Sequence, residues 1–95
     1  MAGKQGNAPE WLDWEIEIGY HVNKRAPVRG FNETDLRTMM ADVVGFEPSH
    51  VEGRFILHSH LDGEEWRIVV EPDYDDRKLV VVTAWRPRHA EAPIP

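Results

Sequence analysis

The chain contains no cysteine, and this absence removes disulfides, thiolate nucleophiles and Cys-ligated zinc from consideration. Long hydrophobic runs are missing too. The apolar stretches fall far short of the ~20 residues that a membrane-spanning helix requires, and the opening MAGKQGNAPE holds no apolar signal segment. Basic residues are in deficit. Eleven Lys and Arg against 17 Asp and Glu give a formal charge of −6, which argues against indiscriminate nucleic-acid binding, because affinity for a phosphate backbone needs clustered cations. The expectation is a soluble, cytoplasmic protein with no membrane partner and no cofactor.

What the 95 residues do contain suits one domain with a single sheet under one helical layer. Residues 1–9 and 87–95 are small, polar or proline-rich and read as tails, leaving a domain over residues 10–86. Acid is concentrated at residues 10–17, 64–65 and 71–76, whereas Lys24, Arg25 and Arg29 form a basic knot.

The strongest local signal lies at residues 53–72, GRFILHSHLDGEEWRIVVEP. Two alternating runs flank Asp62-Gly63, the pair favoured by a two-residue type I′ turn, whose backbone twist matches that of the strands. The turn predicts a register: Leu61 opposite Glu64, His60 opposite Glu65, Ser59 opposite Trp66, His58 opposite Arg67, and onward to Arg54 opposite Glu71. Alternate pairs share a face. One face then carries Phe55, Leu57, Ser59, Trp66, Ile68 and Val70 and reads as core. The other carries Arg54, His58, His60, Glu65, Arg67 and Glu71, interrupted by Ile56 and Val69, and reads as a site.

Elsewhere the signals are looser. Trp14, Ile16, Ile18 and Tyr20 have the period of a strand, with a helix from Pro9 through Glu17 as the competing reading, and Pro27 restricts any helix in residues 21–30 to a short piece. Asn32 is a good N-cap for a helix bearing Leu36, Met39, Met40 and Val43 on one face and ending near Gly45. The β-branched run KLVVVTAWR (78–86) makes a further strand. If Glu71 faces Lys78, then Leu79, Val81, Thr83 and Trp85 join the core face and Arg86 joins the histidines; a bulge places Thr83 with the histidines instead. The fold expected is α+β, with short N-terminal helices on one face of an antiparallel sheet of three to four strands.

His58 and His60 project the same way from one strand. They suit an acid and a base, with Arg67 holding a phosphate and Glu65 orienting His60. Such a set fits RNA cleavage by attack of the 2′-hydroxyl, the cation stabilising charge on phosphorus. The competing readings are a solvated face laced by cross-strand ion pairs, or a half-site for zinc completed by His21, His50 or a carboxylate. His21, followed by Lys24, Arg25 and Arg29, is a second candidate phosphate contact. The tryptophans suit base stacking or core, with core favoured for Trp66.

The order of these motifs resembles small toxin domains. A strand ending in His21, a short basic segment, Arg29-Gly30-Phe31 leading into a helix capped at Asn32 and bearing Asp35-Leu36, then Gly53-Arg54-Phe55, residues 66–70 and Val81-Val82-Thr83 are similar to the RelE-like and colicin-like members of the barnase–EndoU–colicin–RelE group. The resemblance spans residues 21–86. It implies N-terminal helices packed on an antiparallel sheet and a metal-independent bacterial ribonuclease site on the open face. By position it matches His21, Arg25, Arg29 and Thr83 to the family's histidine, basic and hydroxyl positions. The net acidity departs from the family's usual basic character, as does Pro27 where the family tolerates a continuous helix.

The resulting expectation is a ribonuclease toxin-like domain with His58, His60, Arg67, His21 and Arg25 in catalysis and Arg29, Arg86, Thr83 and Glu65 on substrate. The alternative is a non-catalytic interaction module, either a partner in a toxin–antitoxin or immunity pair or a homodimer through an exposed sheet edge.

Overall fold

A computed structural model describes residues 9–19 and 31–87. Residues 1–8 and 88–95 of the tails expected at 1–9 and 87–95, the short helix expected within 21–30, and the candidates His21, Lys24, Arg25 and Arg29 lie outside the described residues. A 3-10 turn at Glu10–Asp13 leads into β1 (Glu15–Ile18), followed by helix α1 (Glu33–Met40), β2 (Gly45–Pro48), β3 (Phe55–Leu61), β4 (Glu64–Asp73) and β5 (Lys78–Trp85). The strands form one five-stranded sheet in the order β1-β5-β4-β3-β2. All neighbours run antiparallel except β1 with β5, which are parallel.

This is an α+β fold, with three differences from the architecture expected. The sheet has five strands and is mixed. Among the described residues there is one α-helix. The strand reading wins over the helical one at Glu15–Ile18, with Tyr20 outside the described residues, and the helix survives only as the 3-10 turn before β1.

The β3–β4 hairpin forms as its turn dictates. Asp62 and Gly63 both take positive φ, 52° and 82°, as a type I′ turn demands. Every strand pair from Leu61 with Glu64 to Phe55 with Val70 is in the expected register. Just past it, Arg54 Nε donates to Glu71 Oε1 at 3.0 Å.

Helix α1 starts where expected. Asn32 Oδ1 accepts from the Asp35 N–H while Asp35 Oδ2 accepts from the Asn32 N–H, a reciprocal cap that satisfies otherwise orphaned donors. It ends at Met40 rather than near Gly45, and Gly45 opens β2 instead. Val43 still packs on the core from the connecting loop.

The larger correction concerns β4 and β5. Lys78 faces Asp73, not Glu71, because residues 74–77 turn as a unit in which Asp73 Oδ1 accepts from the Asp75 and Asp76 N–H groups. A slip of two residues keeps each side chain on its face, so Leu79 and Val81 remain in the core. A bulge then intervenes: Val81 faces Val70, but Thr83 faces Val69. The extra residue exchanges the faces beyond it. Ala84 turns into the core, while Thr83 and Trp85 move to the opposite face.

The inner face is covered in two pieces. Leu36 and Met39 of α1 join Leu57, Trp66, Ile68, Val70, Leu79, Val81 and Ala84 in one buried cluster, with Phe31 edge-on to Trp66 at 5.2 Å. Trp11 of the 3-10 turn covers the other end, against Phe55 at 4.9 Å and Phe46 at 6.0 Å. Beside the helix, the Ser59 hydroxyl bonds to the carbonyl oxygens of Met39 and Asp42. The Met39 oxygen, which also accepts from the Asp42 N–H, is thereby shared between the loop after the helix and β3.

Candidate functional site

The outer face of the sheet is a set of rows, each drawn from several strands. One row reads Gly45, His58, Arg67, Trp85. The next reads Glu47, Ile56, Val69, Thr83. A third carries Glu71, Val80 and Glu17, and a fourth Asp73, Lys78 and Glu15. Four of the residues singled out from the sequence, His58, His60, Arg67 and Glu65, therefore share one face, and the bulge adds Thr83 to it.

Each histidine meets a carboxylate supplied by the segment between α1 and the end of β2. His58 Nε2 lies 2.8 Å from Glu47 Oε2, and His60 Nδ1 lies 4.0 Å from Asp42 Oδ2. An ionised carboxylate only accepts, so the His58 contact places the ring proton on Nε2 and leaves Nδ1 as the acceptor of the neutral ring. Glu65, expected to orient His60, is His60's cross-strand neighbour, and its Oε2 lies 3.8 Å from Arg67 Nη2. Arg67 also donates from Nη1 to the Trp66 carbonyl at 3.2 Å. The guanidinium assigned to phosphate thus already sits among protein acceptors.

Arg86 is not on this face. The bulge directs it to the inner side, where Nη1 meets Glu64 Oε1 at 3.2 Å and Cζ lies 5.4 Å from the Trp66 ring centroid, a stacked cation geometry. The grouping of Arg86 with the histidines is therefore corrected, and so is the core placement of Trp85. That indole is 8% exposed on the outer face, above β4, where Val69 is fully buried. The outer face is consequently an apolar centre of Ile56, Val69, Val80 and Trp85 within a charged border, rather than a uniformly polar one.

Among the described residues, no group of three or more His, Asp or Glu side chains is arranged to hold a metal ion. Nor is any helix among them long and apolar enough to cross a membrane. Glu47 and Asp42 are the site residues that sequence reasoning missed. Their partnership with the histidines depends on β2, whose four residues GFEP include two poor strand formers.

Fold and site together define a mixed-sheet α+β domain with a helix on one face and a His-Arg-carboxylate border around an apolar centre on the other. No family model, curated protein or solved structure matches the chain.

Proposed function

We propose that this domain is a non-catalytic interaction module whose acidic surface binds a cationic protein, as an antitoxin or immunity partner would. The observation that carries the reading is the relative height of the charges on the outer face. The carboxylate side chains stand out, with Glu15, Glu47 and Glu71 exposed by 73%, 53% and 51%, while the cations lie low, Arg67 at 21% and Arg54 at 31%. A partner approaching the sheet meets anions first. Arg54 and Arg67 are each engaged by a carboxylate of their own face, which lowers their attraction for phosphate. The net charge of −6 acts in the same direction at longer range.

The test compares two probes on the purified chain by calorimetry at two salt concentrations. A lysine-rich peptide is expected to bind with an affinity that falls as salt rises, and Glu15→Gln with Glu71→Gln to weaken it. A single-stranded RNA oligonucleotide is expected to show no binding and no cleavage. RNA cleavage by the wild-type chain that His58→Ala abolishes would overturn the reading.

One observation favours that second reading, a small ribonuclease of the RelE-like kind. A carboxylate fixing one nitrogen of His58 leaves the other free to take a proton, which is the arrangement of a general base. In that case His58 serves as base and Arg67 as the phosphate contact, and Glu47→Gln lowers cleavage without altering RNA affinity.

A further inference from the structure

The two edges of the sheet differ. At the β2 edge, Pro48 supplies no N–H. At the other edge β1 has neither proline nor bulge, and its four residues, EIEI, pair with β5 in one unbroken register. No described strand lies beyond it. Gly19 N–H donates to the Val81 carbonyl at 3.2 Å, and alternate residues of a strand turn their backbone groups to the same side. Glu15 and Glu17 therefore bond toward β5, which leaves the N–H and C=O groups of Ile16 and Ile18 directed at the open edge.

The side chains of β1 divide by the same alternation. Ile16 and Ile18 pack on the core beneath the sheet, whereas Glu15 and Glu17 lie exposed in the outer-face rows that hold Asp73 and Glu71. Lys78 stands next to Glu15, at 4.0 Å, and the uncharged Val80 next to Glu17. The start of the strand is fixed by Trp14, edge-on to Tyr74 at 5.3 Å and with the Arg77 guanidinium 5.2 Å from its ring centroid. An edge held in this way needs little ordering when another strand arrives.

We infer that the cationic partner binds at the β1 edge, adding an extended segment to the sheet with its lysines or arginines over Glu15 and Glu17 and its apolar residues beside Ile16 and Ile18. The inference rests on the acidic-module reading and names the place and mode of its contact. Charge selects the occupant. A second copy pairing through β1 sets glutamate against glutamate on the outer face, and like charges directly opposite destabilise a strand pair. A basic segment sets opposite charges there, while the outward backbone groups of Ile16 and Ile18 supply the ladder.

Two peptides of equal charge test this on the full chain, one alternating lysine with valine and one alternating lysine with proline, which has no N–H and resists a β-ladder. The wild-type chain is expected to bind the valine peptide about tenfold more tightly, the worth of one or two net hydrogen bonds. At saturation that peptide is expected to slow hydrogen exchange at the Ile16 and Ile18 amides by about tenfold or more. Ile18→Pro removes one outward N–H while leaving the bonds to β5 in place, and is expected to erase most of the preference with affinity for the proline peptide unchanged. Its thermal midpoint is measured alongside; should it fail to fold, exchange at Ile16 and Ile18 in the wild-type chain decides alone. A valine peptide that binds without protecting those amides, or a preference that persists in Ile18→Pro, overturns the strand addition and leaves the acidic module standing. Failure of both peptides to bind the wild-type chain overturns the acidic module itself. A wild-type dimer in sedimentation that Ile18→Pro converts to monomer also overturns the inference, since a second copy would then occupy the edge.

Discussion

The two faces of the β3–β4 hairpin are built from the same residues in alternation, yet they are stabilised differently. Inward, Leu57, Ser59, Trp66, Ile68 and Val70 are buried beneath α1 and the Trp11 turn. Outward, Ile56, His58, His60, Glu65 and Arg67 are partly exposed, and only Val69 is fully buried. The inner face gains its free energy from area removed from water, which is non-directional and large. Ion pairs on the outer face contribute little each, because exposed charges are screened and holding long side chains costs entropy. Substitutions among the charged residues that border the outer face are therefore expected to change its charge at little cost to the fold.

The largest effect is expected inside. Trp66 is 1% exposed, between Phe31 and Arg86. Trp66→Ala is expected to cost about 3–5 kcal/mol, read as a shift of the urea midpoint with unchanged slope. A cost below that of an ordinary surface substitution, roughly 0.5 kcal/mol, would remove the distinction between the faces.

Trp85 sharpens the comparison because it lies on the other side. Were the outer face simply solvated, Trp85→Ala would be nearly neutral. Its burial beside the row containing Val69 predicts instead a loss of about 2–4 kcal/mol, somewhat under the full value for a buried tryptophan. Such a result makes the outer face a second, smaller apolar layer. A neutral result would restore the polar face expected from the hairpin alone.

What could be read from the sequence tracks how local each determinant is. The Asp62-Gly63 turn fixes its own dihedrals and so the register of ten neighbouring residues and more, and His58 opposite Arg67 follows from it. The Asn32 cap is equally local. By contrast, β2 is a strand mainly because β3 pairs with it: GFEP carries a glycine and a proline, and Phe46 alone is a strong strand former. The carboxylate partners of the histidines were hidden for that reason. The bulge in β5 was hidden for another. In VVVTAW every residue tolerates either face, so the exchange that brings Ala84 inward and sends Thr83 and Trp85 outward is decided by packing against β4 and the cluster beneath. The parallel pairing of β1 with β5 joins segments some 60 residues apart, beyond the reach of any turn signal.

The smallest effect bears on the motif that first suggested chemistry. His58, Ser59 and His60 act together as a clasp. Ser59 holds the C-terminus of α1 from the inner side, while His58 and His60 face Glu47 and Asp42 from the outer side. Because Glu47 is half exposed, the His58–Glu47 contact is expected to contribute only about 0.2–1 kcal/mol in a double-mutant cycle of His58→Ala and Glu47→Gln, and to shrink in high salt. Ser59→Ala should cost more, about 1–2 kcal/mol, since it removes a buried hydrogen bond to the Met39 carbonyl. That ordering places the strength of the clasp in its serine. A coupling well above 1 kcal/mol between His58 and Glu47, insensitive to salt, would reverse the ordering and mark the pair as desolvated. The outer face would then hold a preorganised dyad of the kind the ribonuclease reading requires, and the difference between the two faces would have to be drawn one row further out.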